Sequence, residues 1–150
     1  MTKEDFLTQA KQAAMNIGVS WPGYWAAEAA LESNYGQSQL AERADNLFGM
    51  KAHAHTAPED TLELPTHEWV DGQMVPTVAH WMKYEDWEDC LRDRMATLVR
   101  LSSTYPHYAA ALNASDGPTF INEVSKTWST DPERAEKVLA IYNEYAGVLA

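Results

Sequence analysis

Two glutamates in this chain stand where acid–base chemistry on an acetal could be done. Glu32 closes the alanine-rich run Ala26-Ala27-Glu28-Ala29-Ala30-Leu31-Glu32, and Gly36 follows as a helix stop. An acid at the end of so apolar a helix is expected to be partly desolvated, and a desolvated carboxyl holds its proton and can act as a general acid. Glu68 lies beside the polar residues Thr66 and His67 in a stretch rich in Thr, Val and Trp. Cleaving a glycosidic bond asks for a proton donor on the leaving oxygen and a second group that intercepts or stabilises the cationic sugar, a division that two carboxyls in different surroundings can fill. The sequence gives no distance between the two. With 22 acidic residues among 150, Glu32 taken alone reads better as the end of a capped helix beside a packed corner, and Glu68 reads equally well as an exposed strand residue.

The elements that must position these acids follow from periodicity. Thr2 with Asp5 marks a helix start, and Phe6, Ala10, Ala13, Ala14 and Ile17 recur at helical spacing up to Gly18. Ser20 and Pro22 read as cap and first turn of a second helix, which carries Trp25, Ala29 and Leu31 and delivers Glu32. A short third helix is expected over Ser38 to Arg43, and then Asn46-Leu47-Phe48-Gly49-Met50-Lys51 sets a large apolar pair between an amide and a glycine. That composition suits a buried corner, whose tight backbone Asn and Gly tolerate. Residues 53–60 read as a loop. Thr61 to Val70 and Met74 to Met82 flank the turn signal Asp71-Gly72 and predict a β-hairpin, with Pro65 and Pro76 suiting edge positions. So small a ribbon is marginal alone and is expected to hinge against the helices as a lid. Helical spacing returns with Trp87, Leu91, Leu98 and Leu101, then from Pro106, then at Phe120, Ile121, Val124 and Trp128 after a break at Gly117-Pro118. Thr130-Asp131-Pro132-Glu133 has capping-box spacing ahead of a last helix. The fold class is therefore α+β, mostly α, in one domain over 1–150 with a hairpin lobe near 61–82.

Composition narrows the function. Hydrophobic residues at 45% exclude disorder, and no run is long enough for a membrane span. A formal charge of −11 argues against nucleic acid or an anionic membrane surface as partner. The lone Cys90 falls within a helical pattern and reads as a buried thiol. His53, His55, His67 and His80 surround the ribbon, but no His-Glu-x-x-His or paired-cysteine pattern accompanies them, so neither a metal nor a cofactor is expected. The first residues, Met1 to Phe6, lack the basic flank and apolar run of a secretory signal, which implies delivery by another route or membership of a longer protein.

Glu32-Ser33-Asn34-Tyr35-Gly36 resembles the Glu-Ser-Gly-Trp-Gly signature, and Asn46 to Lys51 the Asn-Leu-Phe-Gly-Ile-Lys signature, of the glycoside hydrolase family 73 β-N-acetylglucosaminidases. The likeness continues through Thr66-His67-Glu68, Asp71-Gly72, Trp81 to Tyr84, Tyr105 to Ala111 and Thr130-Asp131-Pro132, and so covers nearly the whole chain. It implies a lysozyme-like fold, a helical lobe and a β-hairpin lobe across a groove. Carried over by position, Glu32 would protonate the leaving oxygen and Glu68 would be the second carboxylate, with the substrate's own N-acetyl group as an alternative nucleophile. The family's tyrosine two residues before Thr-Asp-Pro is Trp128 here, which keeps a stacking face and an N–H but no hydroxyl. Its second tyrosine is replaced by Arg134, read as variation in the substrate groove. Sugars present C–H faces that pack on rings, so Tyr35, Phe48, Tyr108 and Trp128 are the aromatic groove candidates, while Asn46 is expected to fix its loop or to bind an N-acetyl group.

The resemblance implies cleavage of the β-1,4 bond between N-acetylglucosamine and N-acetylmuramic acid in peptidoglycan. The rivals are a lytic transglycosylase of the same fold, which uses one glutamate, and a non-catalytic glycan-binding or assembly module. The expected partners are glycan strands in the periplasm or cell wall and, for a secreted effector, a cognate inhibitor protein.

Overall fold

Helix α2 (Pro22–Ser33) lies at the centre of the computed structural model, which describes residues 1–150. Alanines at 26, 27, 29 and 30 are all buried, and their small side chains let the neighbours approach closely. Those neighbours are α1 (Lys3–Asn16), α6 (Gly117–Trp128), α7 (Arg134–Glu144) and α8 (Ala146–Leu149). The short α3 (Gln39–Ala44) follows α2, and α4 (Trp87–Leu101) and α5 (Pro106–Leu112) complete the helical body. One cluster of 24 buried hydrophobic residues runs through it, anchored by Trp25, Phe6, Leu47, Leu91, Leu98 and Ile121.

Several helix ends differ from the sequence expectation. α1 has its capping box, with the Asp5 N–H donating to Thr2 Oγ1 and the Thr2 N–H to Asp5 Oδ2. α2, by contrast, is not capped by Ser20: its N-cap is Trp21, held at φ +66 with no side-chain bond, and Pro22 supplies the first turn. α6 includes Gly117-Pro118 instead of breaking there, because Asp116 accepts from the Thr119 N–H and caps it. The box at Thr130 does not form. Asp131 accepts from the Glu133 N–H, and α7 begins only at Arg134.

Strands β1 (Thr61–Val70) and β2 (Gln73–Met82) pair antiparallel across the Asp71-Gly72 turn, with Glu68 opposite Val75 and Leu62 opposite Trp81. The base of this ribbon is stitched to the body: the Ala52 N–H donates to the His80 carbonyl, Met82 to Met50, Lys83 to Asp60 and Tyr84 to Ala44. Residues 62–79 make no hydrogen bond or ion pair to the helices, so the ribbon projects from a fixed foot. Side chains alternate across a strand, so Glu68, Thr66, Leu64 and Leu62 share one face with Val75, Thr77, Ala79 and Trp81.

α2 ends in three successive left-handed residues, Asn34, Tyr35 and Gly36. Gly36 stands at φ +77, and a Cβ there would lie 2.9 Å from the Phe6 ring. Gly36→Ala should therefore lower stability by about 1–3 kcal/mol, from left-handed strain and the crowded ring together, as read by urea denaturation. An unchanged midpoint would mean that the turn is not held in this form.

Candidate active site

Glu32 is the last residue but one of α2 and faces inward beside Glu28, four residues earlier on the same side of the helix. The surroundings are charged, not the apolar pocket expected from the alanines. Arg134 Nε donates to Glu32 Oε1 at 2.9 Å, its Nη2 donates to Glu28 Oε1 at 2.9 Å, and its Nη1 donates to Ser125 Oγ at 2.7 Å. Glu28 also receives a two-pronged bond from Arg94, at 2.7 and 2.8 Å. Glu28, Arg94 and Arg134 are essentially without solvent contact, while a quarter of the Glu32 side chain is exposed.

The electrostatics of this cluster are set by its closeness. Burial alone would raise the Glu28 pKa, but the Arg94 and Arg134 guanidiniums outweigh it and hold the carboxyl below its ordinary value. Burial would likewise lower Arg134, yet Glu28 and Glu32 together hold it above the ordinary arginine value. Arg94 is further enclosed by rings, its guanidinium carbon lying 4.5 Å from the centroids of Phe48 and Trp128 and 4.6 Å from that of Trp25.

Above Glu32 opens a groove of about 560 Å³, walled by Phe48 to His53 of the corner loop, by Trp81 at the ribbon foot, and by Thr97, Tyr108, Trp128 and Ser129. Phe48, Tyr108 and Trp128 are therefore brought together with Glu32. The rings support one another, Trp128 lying 6.1 Å from Phe48 and 6.3 Å from Tyr108 between centroids. Two other candidates are placed elsewhere. Tyr35 is not on this wall: it packs against Phe6 and Tyr145, with Lys3 over its ring, because the left-handed turn after α2 swings it toward α1 and α8. Asn46 is buried and its amide is used up inside the protein, with Nδ2 donating to the Met50 and Met82 carbonyls and Oδ1 accepting from the Met50 N–H. It fixes the corner loop to the ribbon foot. Cys90 does a related job: its buried sulfur accepts from the Leu47 N–H at 3.3 Å, and burial pushes the thiol up to about 12, outside the range of a nucleophile at neutral pH.

Glu68 does not line the groove in this arrangement. It is exposed, six residues along β1 from Leu62, the partner of Trp81, which is roughly 20 Å of strand. It nonetheless shares a ribbon face with Trp81, so the face that carries it is continuous with the groove wall.

Sequence reasoning missed Glu28, Arg94 and Ser125, and read Arg134 as a groove residue when it is buried beneath Glu32. A signal for Arg94 was present: it occupies a core position of the stripe Trp87, Leu91, Leu98, Leu101, where a lone cation calls for a buried acid.

A helical body, a ribbon rising from one rim and a glutamate at the floor of an aromatic groove define a lysozyme-like glycosidase fold. The family model for glucosaminidases, described as mannosyl-glycoprotein endo-beta-N-acetylglucosaminidase, matches residues 7–147, and the chain belongs to that family. It is 31% identical over 128 residues to exo-glucosaminidase LytG of Bacillus subtilis, covering 83% of this chain but only 44% of LytG, so it spans less than half of that relative's length. Among solved structures it resembles the catalytic domain of the autolysin Auto of Listeria monocytogenes, at 25% identity and a TM-score of 0.79 over 96% of this chain and 84% of that one. The glycoside hydrolase domain of Salmonella typhimurium FlgJ gives 28% identity and a TM-score of 0.75, over 97% and 99%.

Breaking one partner out of a buried ion cluster leaves a charge without compensation, at about 3–5 kcal/mol. Glu28→Gln should lose that much in a denaturant titration. Because the folded Glu28 carboxyl lies below its ordinary 4.5, its contribution is complete above that pH and drains away as pH falls through the depressed value. The parent protein should lose stability below about pH 4.5 along a slope that Glu28→Gln lacks.

Proposed function

We propose that this chain is a peptidoglycan hydrolase that cuts the β-1,4 bond after N-acetylglucosamine. The observation that carries the reading is the groove itself, where Glu32 lies at the floor with Oε1 held by Arg134 and Oε2 bonded to nothing in the protein. In the proposed step Glu32 gives its proton to the leaving glycosidic oxygen from Oε2. Trp128, the one partly exposed ring of the three, presents aromatic surface to the C–H faces of the sugars, while Phe48 and Tyr108 are buried and back it from below. Glu68 answers the positive charge on the sugar after the ribbon closes over the groove, by activating water or by supporting the substrate's N-acetyl group. The ribbon's fixed foot, its tip free of hydrogen bonds to the body and the shared face of Glu68 and Trp81 support such a closure. The partners on this reading are glycan strands at the cell wall and, in an effector setting, an inhibitor protein that fills the same groove.

One observation favours the lytic transglycosylase as the second reading. With the ribbon as it stands, Glu32 is the single carboxylate on the groove wall, which is the complement that reaction needs. Mass spectrometry of reduced digests separates the two: N-acetylglucosamine at the reducing end supports hydrolysis, and 1,6-anhydromuramic ends support the rival.

Glu32→Gln should abolish clearing in a peptidoglycan zymogram, and a variant that clears like the parent removes Glu32 from the mechanism. Glu68→Gln should lower turnover by about 100-fold or more with its melting temperature nearly unchanged, because the side chain is exposed and unpaired. Parent-like turnover would take the ribbon acid out of the reaction.

A further inference from the structure

The proton donor of a glycosidase must offer one oxygen in one direction, and Glu32 is held in a way that does so. We propose that Arg134 is a positioning residue for Glu32, a buried fork that grips Oε1 and aims Oε2 into the groove; this rests on the hydrolase reading above.

Two features carry the assignment. Arg134 is 1% exposed and all its nitrogens have partners: Nε on Glu32, Nη2 on Glu28 and Nη1 on Ser125. A guanidinium fixed at three points cannot follow a moving carboxylate, so it sets where Oε1 sits and, through the rigid carboxyl plane, where Oε2 points. The fork is itself braced, because Glu28 is gripped from the other side by Arg94, whose guanidinium lies against the rings of Phe48 and Trp128. The acid and the aromatic wall of the groove thus belong to one packed unit.

The charged side chains near Glu32 are Glu28 on its own helix, Arg134 on α7, Arg94 on α4 through Glu28, and Lys51 on the corner loop, where His53 also lines the groove; Tyr108 faces it from α5. Of these only Arg134 bonds it.

Arg134→Lys keeps a positive charge beneath Glu32 but removes the planar fork. Assayed on soluble, un-cross-linked peptidoglycan strands, it should lower kcat by about 10- to 100-fold with KM within about twofold of the parent, since misaiming a reacting group costs rate and not binding. A folded Arg134→Lys protein with parent-like kcat overturns the proposal, as does a loss confined to KM. Ser125→Ala supplies the second test, because it loosens the fork at Nη1 and keeps every charge: kcat should fall several-fold with KM unchanged, and parent-like kcat overturns the proposal even where Arg134→Lys does not fold. The two readings fail separately. A folded parent protein that releases no reducing N-acetylglucosamine ends from peptidoglycan sinks the hydrolase reading, whereas an active parent with an inactive Glu32→Gln beside fully active Arg134→Lys and Ser125→Ala sinks only the role of Arg134.

Discussion

The structure depends on a cluster of two arginines and two glutamates packed where a core would ordinarily be apolar. Glu28 cannot lie buried inside an alanine-rich helix without cations to meet it, and Arg94 and Arg134 reach it from α4 and α7, which are 66 and 106 residues away in sequence. Such a cluster contributes little net stability compared with well-packed hydrophobic side chains, because desolvating four charged groups offsets most of their attraction. What it gives is a requirement. α2, α4, α6 and α7 must converge in one register, or a charge is left bare. Glu32, at the edge of that cluster, inherits its rigidity while keeping one oxygen toward solvent.

The groove is a consequence of the same convergence. Phe48 and Trp128 both cover the Arg94 guanidinium, and the partly exposed Trp128 turns its other side to the groove, so one ring serves the groove wall and the ion cluster together. Asn46 and Cys90 hold the corner loop that presents Phe48, the amide through three hydrogen bonds and the thiol through one. Neither has a polar group left for a ligand. The ribbon joins this loop at its foot, through the Ala52–His80 and Met82–Met50 backbone bonds and the Asn46 side chain, and its tip makes no hydrogen bond to the body.

Much of this was legible in the sequence because it is local. Helical spacing, the Thr2 cap and the Asp71-Gly72 turn each act within a few residues, and the elements they predict are present. The turn after α2 was legible only in part, since Gly36 signals a stop while Asn34 and Tyr35 also adopt left-handed backbone and carry the Tyr35 ring away from the groove. Long-range partnerships were not legible. Glu32 was expected in an apolar setting because its sequence neighbours are alanines and leucine, whereas its bonding partner lies 102 residues later. Thr130-Asp131-Pro132-Glu133 matched a capping pattern, yet the helix starts beyond it at Arg134, the residue that the cluster requires on α7.

In the proposed reaction the Glu32 carboxyl, gripped on one oxygen by Arg134, meets the scissile bond with the other. A crystal structure of Glu32→Gln soaked with a peptidoglycan strand long enough to span the groove tests this most directly. A sugar packed on Trp128 is expected, with a glycosidic oxygen about 2.6–3.2 Å from the side-chain atom that replaces Oε2. A strand bound elsewhere, or one lying in the groove with its glycosidic oxygens out of reach of position 32, would contradict it.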